Sequence, residues 1–275
     1  MPYPQNLKTA LEVEAVLRDR GVVPATIGIL KGQVHVGMNG EQLEALAQRG
    51  LACKKVSRRD IAQVLAKKQD GATTVSATMI FAHQAKIPIF VTGGIGGVHR
   101  GDAWDVSADL TELGRTPVCV VCAGAKSILD LPRTLEFLET QGVCVCGYGT
   151  DDFPAFFTPR SGLPTSCRVD GPAEAAELLQ QQLQIQLNSG MVLGVPVPEH
   201  LAAEGQLVED ATRQAVDESM QQGIKGNEVT PFLLKRINEL TGGESLRTNI
   251  ALIKHNAEVG AQLAIHFAKL GSSKL

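Results

Sequence analysis

The sequence has no excess of either charge sign. It carries 26 lysine and arginine residues against 29 aspartate and glutamate residues, for a formal net charge of -3. A surface that binds long polyanions needs clustered positive charge, so this composition argues against a nucleic-acid-binding protein. Any phosphate bound by this chain is therefore expected to belong to a small molecule.

Long hydrophobic runs are also missing. No apolar stretch approaches the ~20 residues needed to cross a bilayer, and the opening MPYPQNLKTALEVEAV lacks a basic region followed by an apolar stretch. The sequence shows no internal repeat and no low-complexity tract. We expect a soluble protein with no membrane partner and no signal peptide, folded as one principal domain over residues 1–275.

Cysteines are few, and two of the six, Cys119 and Cys122, form a CxxC motif. The motif lies in the β-branched run PVCVVCA, and side chains three apart on a strand face opposite sides. A metal or redox pair at this motif is therefore not expected. Buried, reduced thiols in a reducing compartment are the preferred interpretation.

What the sequence does contain is an alternation of short apolar runs and amphipathic stretches. The apolar runs predict buried strands at residues 24–30, 87–92, 117–122, 143–147 and 190–195. The amphipathic stretches predict helices at about 6–20, 41–49, 57–68, 75–85, 127–141, 172–188, 205–222, 228–240 and 246–269, with Asn6, Ser57 and Ser127 as N-caps.

This order of elements predicts an α/β protein in which a largely parallel sheet is covered on both faces. Residues 171–270 form its mostly helical C-terminal part. Between the two parts, residues 151–170 carry three phenylalanines and several prolines, and a disordered linker is poor in aromatics. We expect this segment to be a lid or a subunit contact. The active site is expected at the carboxyl ends of the strands.

Three stretches at predicted strand ends have the composition of binding sites. Gly71 to Val75 opens a helix with small and hydroxyl side chains, which suits either an anion site or simple capping by Thr73 or Thr74. The second stretch, VTGGIGGVHRGD at 91–102, has four glycines within five residues, which indicates a backbone that approaches something closely. It does not match a dinucleotide-binding or P-loop pattern. His99 and Arg100, at its end, either hold a phosphate or cap the loop.

The third stretch contains two aspartates, Asp105 and Asp109. If both lay on one helix, their spacing of four would place the carboxylates on one face, as a hard cation site requires. Two aspartates near a helix start are also ordinary partners of the helix dipole. The pair alone does not decide between these interpretations.

Lys126 follows three small residues at the end of a predicted buried strand, in VVCAGAKSILD. A cavity lined by small side chains would lower the pKa of the amine and make it a nucleophile toward aldehydes. A lysine that extends to solvent from a helix start is the ordinary alternative. The glycine-rich neighbouring strand end favours the catalytic interpretation.

Six long motifs resemble one known family. They are TVSATM, VTGGIGGVHRG, DVSADL, VVCAGAKSILDLPRTLEFLET, TPFLL and LTGGESLRTNIALIKHNA. Together they resemble the pseudouridine-5'-phosphate glycosidases, which are related to the indigoidine synthase A proteins. The resemblance implies a three-layer α/β/α fold, a homotrimer, and the reversible cleavage of pseudouridine 5'-phosphate to uracil and ribose 5-phosphate with Mn²⁺.

The resemblance also implies roles for individual residues. Lys126 matches the lysine that forms a Schiff base with C1' of the ring-opened ribose, and Asp105 matches the manganese ligand. Asn249 matches a catalytic asparagine near the uracil and ribose end. The positions that match the surroundings of the ribose phosphate are Lys55, Thr74, Val75, Thr92, His99, Ser107, Ala108 and Asp109.

Two departures from the family pattern bear on activity. The family's general-acid glutamate lies in a strand that precedes the MPYPQN motif, whereas this sequence starts at Met1 inside that motif. The loop Gly101 to Trp104 also looks about two residues shorter than in the family. The alternative hypothesis is therefore a catalytically impaired phosphosugar-binding protein, and a class I aldolase-like lyase using the same lysine is a third.

The sequence ends in Ser273, Lys274 and Leu275. This tripeptide matches the address that the peroxisomal import receptor reads. We expect a peroxisomal protein if the source is eukaryotic and a cytoplasmic one otherwise.

Overall fold

A computed structural model describes residues 1–100, 105–224 and 229–272. Its helices are α1 Gln5–Asp19, α2 Gly40–Arg49, α3 Ile61–Ala66, α4 Val75–Gln84, α5 Ala108–Leu113, α6 Leu131–Thr140, α7 Pro172–Gln184, α8 Ala202–Gln221, α9 Val229–Leu240 and α10 Glu244–Ser272. Its strands are β1 Ile27–Leu30, β2 Gln33–Val36, β3 Lys54–Val56, β4 Gly71–Thr73, β5 Ile89–Val91, β6 Val98–His99, β7 Cys119–Cys122, β8 Leu129–Asp130, β9 Cys144–Tyr148, β10 Cys167–Val169 and β11 Met191–Gly194.

A five-stranded sheet forms the centre of the molecule, in the order β10-β9-β11-β7-β5. Every neighbouring pair in it is parallel. Strands β7 and β11 are buried at every position, as expected for strands covered on both faces. The predicted α/β class with a largely parallel sheet is confirmed, and four of the five predicted strands belong to this sheet.

A second sheet, of four strands in the order β2-β1-β4-β3, comes from the first 73 residues. It is mixed, because β1 pairs antiparallel with β2 and β4 whereas β3 pairs parallel with β4. Only its strand β1 was predicted. The other three have three or four residues, with positions facing solvent, so no apolar run marks them.

Two of the three predicted N-caps are wrong. Asn6 lies inside α1, and its side chain donates to the carbonyl of Ala47 at 2.9 Å. Ser57 does cap the helical segment of its region, since its backbone N–H donates to Asp60 Oδ2 at 3.1 Å, but the first turn, Arg58–Asp60, is 3-10 and the α-helix begins at Ile61. Helix α6 begins at Leu131, where the Asp130 side chain accepts from the backbone N–H of Arg133. Ser127 therefore lies in the turn before that helix.

The aromatic segment 151–170 packs into the core. Phe153, Phe156 and Phe157 are buried in the hydrophobic cluster on one face of the central sheet. The Phe156 backbone N–H donates to the carbonyl of Ala123 at 2.9 Å, just beyond β7. The segment is thus not a linker, and its phenylalanines are covered by the chain's own residues rather than by a partner.

The central sheet separates two hydrophobic clusters, and the CxxC motif spans both. Cys119 lies in the cluster under α7 and α10, whereas Cys122 lies in the cluster that contains the three phenylalanines. Burial raises the pKa of both thiols, that of Cys122 to about 12. The predicted opposite orientation is confirmed. None of the described helices is long and apolar enough to span a membrane.

Candidate functional site

Lys126 lies beside the glycine-rich segment that follows β5. Three backbone hydrogen bonds join the two stretches: Ala123 N–H to Gly93 O at 2.9 Å, Ile95 N–H to Gly124 O at 3.1 Å, and Lys126 N–H to Ile95 O at 3.2 Å. Parallel strands end at the same edge of a sheet, which places these two strand ends side by side. The glycine-rich segment therefore forms one wall next to the lysine.

The Lys126 side chain is exposed, although many protein atoms surround it. Desolvation by these atoms lowers the pKa of the amine, the nearby Asp109 carboxylate opposes this effect, and the positive charge of Lys55 adds to it. The Lys126 side chain is therefore accessible to solvent and does not lie in the closed, dry cavity that the small neighbouring residues suggested. Its amine is nonetheless easier to deprotonate than that of a lysine in water.

Helix α5 fixes the glycine-rich segment. The Ser107 backbone N–H donates to Gly97 O at 3.0 Å, and Gly96 N–H donates to Asp109 Oδ2 at 2.9 Å. A side chain at residue 96 would start 2.1 Å from Ser107 Oγ, so only glycine permits this close approach. The close backbone approach inferred from the glycines is to α5.

Asp105 and Asp109 do not share a helical face. Helix α5 begins at Ala108 with Ser107 as its N-cap, and Asp105 lies before it in non-helical backbone. Asp109 is buried, and its second oxygen accepts from the Ser76 backbone N–H at 2.9 Å. Both Asp109 oxygens are thus occupied by backbone donors, so of the two interpretations of this pair, the shared helical face for a cation does not exist.

The start of α4 completes one side of the site. Thr74 caps this helix by accepting from the Ala77 backbone N–H, so the capping interpretation of residues 71–75 is correct. The backbone N–H of Val75 has no hydrogen-bond partner among the described residues. Lys55 is exposed on β3, paired with Ala72 of β4. A free N–H at a helix start and a nearby lysine suit a small anion.

His99 and Arg100 have different surroundings. The Arg100 guanidinium donates to the carbonyls of Leu129 and Ser127, each at 3.2 Å, so it fixes the turn after Lys126, as the capping interpretation expects. His99 Nε2 lies 3.9 Å from Asp105 Oδ2. The loop between them, Gly101 to Trp104, lies outside the described residues.

Asp105 is the residue through which the family resemblance implies a metal ion. Its side chain is 50% exposed, and His99 is its ion-pair partner among the described residues. A hard divalent cation binds one or two carboxylates and completes its shell with water and substrate oxygens. A single accessible carboxylate fits that mode of binding.

Asn249, on α10, faces the first glycine of the segment. A Cβ built on Gly93 would lie 3.4 Å from Asn249 Oδ1. This oxygen is buried and has no hydrogen-bond partner among the described residues, which leaves an acceptor for a ligand. Thr92 precedes Gly93, and its carbonyl accepts from the Asn256 side chain at 2.9 Å.

Sequence reasoning missed one carboxyl close to this region. Burial raises the pKa of Glu209 on α8, against the opposing charges of Arg100 and Arg213. Its Oε2 atom is buried without a partner among the described residues. A glutamate within a polar helix pattern carries no sequence signal that it will be buried.

Together, these features define an α/β protein with a lysine at the carboxyl end of a parallel strand, beside a glycine-rich segment and a helix start whose free N–H suits a small anion. The profile of the family described as "Indigoidine synthase A like protein" matches residues 1–266. The chain belongs to this family.

Relatives and solved structures agree with this assignment. The chain is 51% identical over 272 residues to the pseudouridine-5'-phosphate glycosidase of Arabidopsis thaliana, covering 98% of this chain and 82% of the relative. It is 52% identical to the enzyme of that name from Clostridium botulinum, covering 98% and 89%. The prealnumycin C-glycosynthase AlnA in complex with ribulose 5-phosphate superposes with a TM-score of 0.91 at 36% identity, covering 98% and 90%.

Proposed function

We propose that this chain is a pseudouridine-5'-phosphate glycosidase, which interconverts pseudouridine 5'-phosphate with uracil and ribose 5-phosphate. The observation that carries the proposal is Lys126, an amine of lowered pKa beside a glycine-rich wall, in a chain about half identical to enzymes of that name. A binding-only protein of the same family and an aldolase-like lyase are the alternatives that share the lysine, but the relatives about half identical to this chain carry the glycosidase name.

The lysine chemistry suits the breaking of a carbon–carbon glycosidic bond. In the synthetic direction, the neutral Lys126 amine adds to the C1' aldehyde of ring-opened ribose 5-phosphate and loses water, and the resulting iminium carbon accepts an electron pair from C5 of uracil, which then loses its proton. In the direction of cleavage, the amine first displaces the ring oxygen at C1'. Its nitrogen lone pair then forms the iminium while the electron pair of the carbon–carbon bond leaves with the C5-protonated base, and water releases the sugar aldehyde and the free lysine. The lowered pKa of Lys126 supports this role, because only the unprotonated amine is a nucleophile.

The remaining candidate residues are proposed to bind the phosphosugar. The start of α4 and Lys55 provide a donor and a positive charge for the phosphate, and Asn249 provides an unpartnered acceptor. Thr92, His99, Ser107, Ala108 and Asp109 are proposed to surround the bound phosphosugar. For Asp109, the proposed contribution is to hold the wall in place, since both its oxygens are occupied.

Asp105 is proposed to hold a Mn²⁺ ion through one carboxylate oxygen and water. A bound ion of this type supplies a hard Lewis acid for oxygen atoms. His99 lies beside Asp105 and helps to orient its carboxylate.

Reductive trapping tests the lysine. Incubation with ribose 5-phosphate and borohydride should attach a reduced sugar phosphate to Lys126, located by peptide mass spectrometry. Lys126→Arg should give no adduct, while Lys86→Arg, at an exposed position, should trap like the parent. An unmodified Lys126 in the parent chain, or an adduct at other lysines only, would contradict the proposal. An adduct without release or consumption of uracil would favour a binding protein.

We further propose a homotrimer and, for a eukaryotic source, import into peroxisomes. Light scattering should then give three times the chain mass. The terminal tripeptide lies outside the described residues, and deletion of Ser273 to Leu275 from a fluorescent fusion should abolish peroxisomal import. A diffuse cellular signal for the fusion with an intact C-terminus would refute the proposal of peroxisomal import.

A further inference from the structure

We propose that Cys144, Cys146 and Cys167 form a binding site for one thiophilic metal ion of the Zn²⁺ type. The site lies on the sheet face covered by α7 and α10, whereas the phenylalanine cluster next to Lys126 lies on the other face. It neither uses the candidate catalytic residues nor rests on the proposed glycosidase activity.

The topology of the sheet brings the three sulfur atoms together. Cys144 and Cys146 are two apart on β9, so their side chains point to the same face. Cys167 is the direct register partner of Cys146 on the neighbouring parallel strand β10. Among the described residues, these three form the one cluster of potential metal ligands, with all sulfurs within 4.8 Å of one another.

The spacing of the sulfurs suits a shared cation. The Sγ–Sγ distances are 3.5 Å for Cys144 and Cys146 and 2.9 Å for Cys146 and Cys167. Three thiolates around a tetrahedral zinc ion stand about 3.8 Å apart, from a Zn–S bond of about 2.3 Å. The observed triangle therefore needs only small side-chain rotations to accept an ion.

The three thiols lie in contact in one cluster. The Cys144 and Cys146 sulfurs are within hydrogen-bond distance of each other, as are those of Cys146 and Cys167, and in each pair either thiol can be the donor. Burial opposes the ionisation of thiols. A dication that neutralises the thiolates removes the obstacle to ionising all three, because a metal ligand is a thiolate and binding releases protons.

The position of the cluster permits access. Cys144 and Cys167 are half-buried, and only Cys146 is fully buried, so an ion can reach the site from the sheet edge. The Ser166 hydroxyl, which bonds to the backbone of Val145, lies next to Cys144. Water or this hydroxyl can complete a fourth coordination position.

A disulfide between Cys146 and Cys167 is the competing use of the same atoms. Neighbouring strands are about 4.8 Å apart, which lies within the Cα–Cα range of disulfides. A disulfide uses two sulfurs and leaves the third, that of Cys144 at 3.5 Å from Cys146, without a role. Three converging sulfurs favour the metal ion.

Titration of the reduced full-length chain with Cd²⁺ tests the proposal, because cadmium–thiolate bonds absorb in the ultraviolet. We expect a charge-transfer band that saturates at one equivalent per chain and is displaced by Zn²⁺. Cys144→Ser and Cys167→Ser should each weaken binding at least about tenfold, the size typical of losing one ligand or its support. Cys53→Ser, a half-buried thiol on another part of the chain, should bind like the parent.

A second measurement covers variants that fail to fold. One equivalent of Cd²⁺ on the parent chain should protect Cys144, Cys146 and Cys167 from alkylation, mapped by peptide mass spectrometry, while Cys53 stays reactive. Absence of a thiolate band overturns the proposal, as does a band that persists in the Cys144→Ser/Cys167→Ser double variant. A Cys146–Cys167 disulfide that forms in air in the presence of saturating Zn²⁺ also overturns it.

Discussion

At the scale of single residues, two glutamates show how burial and hydrogen-bonding partners together set the pKa of a carboxyl group. Glu112 is fully buried, yet its pKa is lowered, because hydrogen bonds from Arg58 and Thr116 and the charge of Arg115 outweigh the desolvation that would raise it. The pKa of Glu209 is raised, because burial outweighs the distant charges of Arg100 and Arg213. Hydrogen-bonded partners, more than burial alone, decide whether the pKa of a buried carboxyl is raised or lowered.

Glu209→Gln should stabilise the protein in a manner that depends on pH. At pH values below 4.5, the ordinary pKa of this group, the folded and unfolded chains both carry the protonated acid, so parent and variant should unfold alike. As pH rises, the unfolded chain releases this proton first, and the parent loses stability relative to the neutral variant. Thermal unfolding from pH 4 to 8 measures the difference.

Asp217→Asn, at an exposed position of the same helix, is the control and should show no such trend. A stability difference for Glu209→Gln that stays constant with pH would mean that the Glu209 pKa is not raised in the folded chain.

The site shows what residue patterns reveal and what they do not. Lys126 and the glycines stand out because their types are unusual at strand ends, and the structure places them together. The cysteine cluster was not predicted, because it depends on the register of β9 against β10, which no local pattern encodes. The spacing of four between Asp105 and Asp109 suggested a shared helical face, but the helix begins between them, with Ser107 as its N-cap.

At the scale of elements, the five-stranded sheet was predictable and its neighbour was not. Strands β5, β7, β9 and β11 are apolar runs bounded by glycine or proline, which is the signature of strands buried on both faces. Strands β2, β3 and β4 are short and partly polar, and they form because tertiary pairing overrides weak local preference. Helix starts were missed where a later cap, Asp130, competes with an earlier serine.

The junction of β7 with the aromatic segment gives an element-scale prediction. Gly124 has a φ of +84°, and a Cβ there would lie 2.0 Å from the carbonyl oxygen of Pro154. Gly124→Ala must push back the segment that carries the three core phenylalanines. We expect a loss of unfolding free energy about 2 kcal/mol larger than in the control, from overpacking.

The control is Gly142→Ala. Gly142 also has a positive φ, +68°, but a Cβ there meets nothing within 4 Å. Both variants therefore share the cost of a left-handed alanine, and only Gly124→Ala adds a steric clash. Chemical denaturation compares them, and equal losses would show that the aromatic segment does not press on Gly124.

At the scale of the whole molecule, helix α5 joins the two sheets to the candidate site. Asp109 binds the glycine-rich segment beyond β5 and the start of α4. Glu112, one turn later, binds Arg58, which lies between β3 and α3 in the first part of the chain. Two buried carboxylates of the six-residue helix α5 thus fix the relative positions of the glycine-rich wall beside the lysine and the proposed phosphate-binding helix.

Arg58→Ala should therefore lower both stability and activity. The Arg58 guanidinium donates to both Glu112 oxygens, at 2.7 and 2.6 Å, and its loss leaves a fully buried carboxylate with weaker partners. Breaking a buried pair on one side costs about 3 to 5 kcal/mol, and we expect the low end, about 3 kcal/mol, because Arg58 is itself half exposed and Arg115 remains.

Arg59→Ala, one residue away and 90% exposed, should change stability by less than about 0.5 kcal/mol. The lowered pKa of Glu112 means that its stabilisation is present above pH 4.5 and is lost as pH falls through the folded-state pKa. The gap between parent and Arg58→Ala in urea denaturation should therefore narrow in acid. If instead the stability difference were the same at pH 7 and pH 3, or if Arg58→Ala matched Arg59→Ala, the Arg58–Glu112 pair would not be what holds the four-stranded sheet against α5.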